Sequence, residues 1–94
     1  AGFNFLDVMP RMEGVVTQAE GNLVTVRVTD NPTKSAIKPG YKFAIYDNNQ
    51  YKGDMTVTDV ANDYAIGRVY LRQNNAVIEV GDRAATDLQV ISAR

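Results

Sequence analysis

Aspartate is the residue type through which this chain could do chemistry. Asp47, Asp54, Asp59, Asp63, Asp82 and Asp87 are the candidates. In a pair about 5–10 Å apart, one carboxyl can donate a proton while the other activates water. Most of the six stand at turns or strand ends, where an aspartate ordinarily hydrogen-bonds its own backbone. The structural role is therefore the expected one. Oxygens of Asp and Asn also suit a hard cation such as calcium. Asp47-Asn48-Asn49-Gln50 and Asn62-Asp63 supply such oxygens. Neither has the alternating ligand spacing and following bidentate Glu of a dedicated calcium loop, and hairpin turns account for both. With no His and no Cys in 94 residues, the commonest catalytic base and the best zinc ligands are missing. No Gly-rich phosphate loop, nucleophile elbow or Ser-Lys dyad spacing is present either. The expectation is no catalytic residue, no metal ligand and no cofactor.

Aromatic residues are the second candidate. Tyr41, Tyr46, Tyr51, Tyr64 and Tyr70 could stack on bases, as small barrels that bind single-stranded nucleic acid do with aromatics flanked by Lys and Arg. Lys42, Lys52, Arg68 and Arg72 lie close to Tyr41, Tyr51 and Tyr70 in sequence. Cross-strand packing is the stronger reading, because Tyr is a favoured strand residue and acidic side chains are interleaved. Ten basic residues against eleven acidic ones leave a net charge of −1. That balance lacks the basic surplus that phosphate binding exploits, so nucleic acid is not the expected partner.

The third candidate is apolar. Phe3, Phe5, Leu6, Val8 and Met9 cluster ahead of Pro10. Each large apolar side chain contributes roughly 1.5–3 kcal/mol on burial, so such a cluster is costly to leave wet. Residues 1–11 are expected either to pack back as an edge strand or end plug, or to dock on a neighbouring domain or second copy. Phe3, Phe5, Leu6, Val8 and Met9 are the candidate partner interface. Other protein domains or further copies of the chain are the candidate partners, which leaves a homo-oligomer open.

The elements that must carry these residues are strands. Glu20-Gly21-Asn22, Lys38-Pro39-Gly40, Asp47-Asn48-Asn49, Asn62-Asp63, Asn74-Asn75 and Gly81-Asp82 separate runs rich in Val, Ile, Thr and Tyr. Spacing of about 8–12 residues between such turns signals a small all-β barrel or sandwich. Residues 12–94 are expected to form one mainly antiparallel barrel of six or seven strands, SH3-like in size, with an open two-sheet sandwich as the alternative. Met12 to Ala19 opens it, with a bulge or close approach at Gly14. Gly21-Asn22 can supply the positive φ angles of a tight hairpin. Val24, Val26 and Val28 then alternate with Leu23, Thr25 and Arg27, giving a core face and a half-wet face. Thr29 to Lys38 reads as a loop with Ile37 as an end plug, and Pro39-Gly40 as a type II turn. Tyr41 to Tyr46 sets Phe43 and Ile45 on one face. Tyr51 to Val60 points Met55 and Val57 inward, and a slip in its alternation predicts a bulge near Asp59. Tyr64 to Leu71 offers the small-residue face Ala65, Gly67 and Val69, suited to a curved wall. Val77 to Val80 and Leu88 to Ile91 read as the closing strands.

Length allows one domain, and 45% apolar content with 22% charge disfavours disorder. No apolar run approaches the roughly 20 residues of a spanning helix. The start lacks the basic flank and apolar stretch of a signal peptide. A mature fragment, or a domain of something longer, is the expectation. Absence of Cys is compatible with cytosol and periplasm alike.

From Gly14 to Leu88 the pattern resembles a small β-barrel module of bacterial cell-envelope and surface-associated proteins, the C-terminal barrel of flagellar assembly protein T being the named case. The matching stretches are Gly14-Val15-Val16, Val24-Thr25-Val26, Ile37-Lys38-Pro39-Gly40, Phe43-Ala44-Ile45-Tyr46, Tyr51-Lys52-Gly53, Met55-Thr56-Val57, Ala65-Ile66-Gly67-Arg68-Val69 and Ile78-Glu79-Val80-Gly81-Asp82-Arg83. The family pattern often has a Gly where Ser35-Ala36 stands here. The resemblance implies a non-enzymatic structural or protein-interaction part of a larger assembly, at the cell envelope or periplasm rather than in the cytoplasm. It brings no catalytic residues. The alternative is a ligand- or single-stranded nucleic-acid-binding barrel that uses the tyrosine face.

Overall fold

The computed structural model describes residues 10–32, 34, 36–47 and 50–86. Its regular elements are β1 (Glu13–Glu20), β2 (Leu23–Asp30), β3 (Lys42–Asp47), β4 (Gln50–Ala61), β5 (Tyr64–Arg72) and β6 (Arg83–Ala85). They close into a barrel in the order β1-β2-β5-β4-β3-β6, and every neighbouring pair is antiparallel. Among the described residues the fold is all-β, a closed six-stranded barrel, so the open sandwich is excluded.

Alternation builds the interior. Val24 and Val26 are fully buried, Val28 is half-buried, and Arg27 between them is exposed. Phe43, Ile45, Met55 and Val57 meet them from β3 and β4, and Ile37 packs against the same core, half-buried. Two register slips fall where the sequence predicts bulges, between Glu13 and Gly14 and between Val57 and Asp59, while those at Val16/Gln18, Ile45/Tyr46 and Asp54/Met55 have no counterpart in the sequence reading. Close backbone approach makes Gly14, Gly53 and Gly67 obligatory. A Cβ on Gly67 would stand 2.2 Å from the Thr56 carbonyl oxygen, and one on Gly14 2.3 Å from that of Arg27. No side chain fits so close to a neighbouring backbone.

Two turns differ in detail from expectation. Pro39-Gly40 turns as read, with Gly40 at φ 96°. In the β1–β2 hairpin, however, only Gly21 takes a positive φ, at 62°. Asn22 serves the fold through its side chain instead.

The last third of the chain departs further. Gln73 to Ala76 is a turn in which Asn74 and Asn75 have φ 52° and 56°, and the Ala76 N–H donates to the Gln73 carbonyl at 2.9 Å. Val77 to Val80, expected as a strand, is an irregular strap with Ile78 buried and Val77 and Val80 exposed. The reason is local. The Glu79 N–H donates to Asp82 Oδ2 at 2.8 Å, and the Asp82 N–H returns to the Glu79 carbonyl at 3.1 Å. Backbone groups that a strand would offer its neighbour thus close a side-chain-capped turn. The barrel is closed instead by β6, whose Arg-Ala-Ala has little strand preference of its own. Pairing with β1 on one edge and β3 on the other makes it a strand. Leu88 to Ile91 lies outside the described residues.

Candidate functional site

Polar side chains converge where the strap 76–82 meets β4. Asp82, only 4% exposed, is the buried charged residue among those described. Its Oδ2 accepts from Lys52 Nζ at 2.8 Å as well as from the Glu79 N–H, and Lys52 Nζ also donates to the Val77 carbonyl at 2.8 Å. Lys52 is the residue left over where the β3–β4 register slips, Ile45 pairing with Gly53 and Tyr46 with Tyr51. A bulge re-aims a side chain, and here it sends an ammonium to the strap. The backbone completes the knot: the Val16 N–H donates to the Asp82 carbonyl at 2.7 Å, and the Gln73 N–H to the Lys52 carbonyl at 2.8 Å.

Arg72 makes a second clamp at the end of β5. Its guanidinium donates to Asn22 Oδ1 at 3.2 and 2.9 Å, to the Gly21 carbonyl at 2.7 Å and to the Ala76 carbonyl at 2.8 Å. One planar fork thereby holds the β1–β2 turn against the 73–76 turn. Lys52 and Arg72, read from sequence as flanks of a base-stacking face, are structural instead.

Part of the tyrosine face does assemble. On the outside of β4 and β5, Tyr70 Oη lies 3.5 Å from Asp54 Oδ2 and Lys42 Nζ lies 5.7 Å from the Tyr70 ring centre. Desolvation pushes the Tyr51 phenol well above its ordinary value, with a hydrogen bond to Asp54 and that carboxylate's charge adding to the shift. The same causes raise Tyr70, with the charge of Asp54 ahead of its hydrogen bond. Both phenols are thus held as neutral donors around an acidic centre, and a carboxylate at the centre repels phosphate. Of the other three, Tyr46, the register partner of Tyr51, is buried, Tyr41 packs half-buried on the core, and Tyr64 is exposed at the start of β5.

The remaining candidates stay apart. Asp47 ends β3, Asp59 sits exposed at the β4 bulge, and the Asp63 carbonyl accepts the Val28 N–H at the β4–β5 turn. Among the described residues no group of acidic side chains could hold a metal ion. Asn48, Asn49 and Asp87 lie outside the described residues, as do Phe3, Phe5, Leu6, Val8 and Met9.

One feature of the surface has no counterpart in the sequence reading. An open cleft of about 320 Å³ lies beside the β1–β2 hairpin, between Thr17, Glu20, Leu23 and Thr25 and the strap's Val80. It exists because β6 is short. β6 pairs with Glu13–Val15 and the Gly81–Asp82 backbone with Val16, after which β1 runs on past the strap. Leu23 and Val80, which line it, are 43% and 67% exposed, and Val77 of the same strap is 66% exposed. The alternation set Leu23 on a half-wet face but gave no sign that the strap would gather apolar side chains near it.

No family model, curated protein or solved structure gives a significant match to this chain. Among the described residues no helix is long and apolar enough to cross a membrane.

Proposed function

We propose that the chain is a non-enzymatic protein-interaction module, a structural part of a larger bacterial envelope or surface-associated assembly. One contrast carries this reading. Charged side chains with the reach for chemistry, Lys52, Asp82 and Arg72, are spent on closing the barrel, whereas Leu23 and Val80 face solvent at a cleft and Val77, on the same strap as Val80, is exposed as well. Exposed apolar patches rimmed by polar residues are a mark of interaction surfaces. The resemblance to the C-terminal barrel of flagellar assembly protein T, with its SH3-like size, supports an envelope assembly as the setting.

A second reading rests on Lys42 over the Tyr70 ring beside Arg68, a fragment of a base-stacking platform. Amide chemical-shift mapping of the whole chain separates the two. The module reading expects shifts around Leu23, Val77 and Val80 as protein concentration rises, and none with oligo-dT or oligo-U at low salt, where electrostatic binding is strongest. Micromolar oligonucleotide binding centred on Lys42, Tyr51 and Tyr70 would overturn it.

A further inference from the structure

The outer face of the barrel at the Ala44–Ala85 pair is buried where it should be wet. Ala44 pairs with Ala85 across the β3–β6 ladder, next to the pair Ile45–Ala84. Ile45 and Ala84 belong to the core cluster. Successive side chains alternate faces along a strand, so Ala44, Ala85 and Tyr46 point outward. Elsewhere on the barrel an outward position is solvated, as Tyr70 is at 53%. Ala44, Tyr46 and Ala85 are instead 4%, 3% and 0% exposed. The two alanine methyls form the floor of a trough. Tyr46 stands on its β3 side, and Glu13 and Val15, the register partners of Ala85 and Arg83, stand on its β1 side.

The described chain begins at one end of this trough. Thr86, directly after Ala85, donates through Oγ1 to the Pro10 carbonyl at 2.7 Å. It accepts the Met12 N–H on that same Oγ1 at 2.9 Å and donates its own N–H to the Met12 carbonyl at 3.0 Å. Residue 10 is therefore tied beside the open end of β6. Nine extended residues reach about 30 Å, while three-residue β6 spans only about 10 Å. Those nine include Phe3, Phe5, Leu6, Val8 and Met9, with Asp7 the sole charged side chain, and Arg83 stands exposed on the trough's rim.

We propose that the Ala44–Ala85 trough is a binding seat for an extended apolar segment, and that its occupant is residues 1–9 of the same chain. The segment's aromatic side chains rest on the alanine floor, where short side chains leave room for them.

Single-thiol accessibility tests this in the full chain, since the protein has no cysteine of its own. Ala44→Cys and Ala85→Cys report on the trough, and Thr58→Cys on an exposed outward position. The thiols at 44 and 85 should react with a soluble disulfide reagent about ten-fold or more slowly than that at 58, as protected sites do. Adding Phe3→Ser, Phe5→Ser and Leu6→Ser to the Ala44→Cys chain should restore the fast rate. Adding Leu88→Ser and Val90→Ser should not. Circular dichroism checks that each variant keeps the barrel. Fast reaction at both trough positions overturns the proposal, and so does release by the C-terminal substitutions alone. Protection that disappears on dilution would give the seat to a second copy and overturn it equally.

Discussion

The wall of the barrel and its closing seam are held together by different physics. The wall, β2-β5-β4 with β3, consists of strands of six to twelve residues whose inward side chains are Val, Ala, Met, Phe and Ile. The seam, where the strap 76–82 and β6 bridge β1 to β3, has three residues of strand and two polar clamps nearby, the Lys52–Asp82 one buried and the Arg72 one largely exposed. Burial of apolar area scales with strand length, so a short strand cannot seal a gap that way. Directional bonds from Lys52, Asp82, Arg72 and Thr86 do it instead, and among the described residues no buried side-chain nitrogen or oxygen lacks a partner. Where the wall is regular the surface is ordinary. At the seam lie the open cleft and the buried Ala44–Ala85 pair.

The contrast can be broken most sharply by removing one member of the buried pair. Asp82→Ala strands the Lys52 ammonium and the Glu79 N–H, at an expected cost of about 3–5 kcal/mol in urea unfolding. That matches the cost of about 3–5 kcal/mol for Phe43→Ala in the wall, although Asp82 buries no hydrocarbon of note. A loss below about 1 kcal/mol would dissolve the distinction. Gly67→Ala probes the wall alone. Its methyl meets the Thr56 carbonyl backbone, and overpacking of this kind costs about 1–3 kcal/mol, with little change expected at the seam amides. Arg72→Ala loses four hydrogen bonds to largely exposed acceptors. The expected loss is about 1 kcal/mol, with faster hydrogen exchange confined to the 21–23 and 73–77 turns.

The smallest effect concerns the wall's outer face. The Tyr51 phenol is raised by desolvation and then by Asp54, so the folded chain keeps that proton when the unfolded chain has lost it. Up to about pH 10, the ordinary phenol value, both states are protonated and the group leaves stability unchanged. Above it, stability falls as pH rises. Ultraviolet titration should show late-ionising tyrosine that Tyr51→Phe reduces, Tyr70 remaining, and that Asp54→Asn shifts back toward the ordinary value.

The wall was legible in the sequence because its information is local. Period-2 alternation in Val24-Thr25-Val26, the slip before Val60 and the small face Ala65-Gly67-Val69 each state their own geometry. The seam was not, because its information is carried by pairs far apart in the chain. Asp82 reads as one more turn aspartate until Lys52, brought round by a bulge, stands beside it. Arg83-Ala84-Ala85 has no strand signal, while Val77 to Val80 has one and is overruled by the Asp82 cap. For the candidate site the same holds. The tyrosine cluster was visible residue by residue, but which basic side chains would stay with it depended on the clamps. Lys42 remained beside Tyr70, while Lys52 and Arg72 were drawn away.

A double-mutant cycle on Lys52 and Asp82 tests most directly the claim that a buried ion pair, not apolar packing, closes this barrel. Unfolding free energies of the parent chain, Lys52→Met, Asp82→Leu and the double variant are compared. The pair's side chains are 12% and 5% exposed, so the predicted coupling is about 2–3 kcal/mol, with the double variant far less damaged than the two singles together. Single losses that add to within about 0.5 kcal/mol, as those of an exposed pair would, contradict the account.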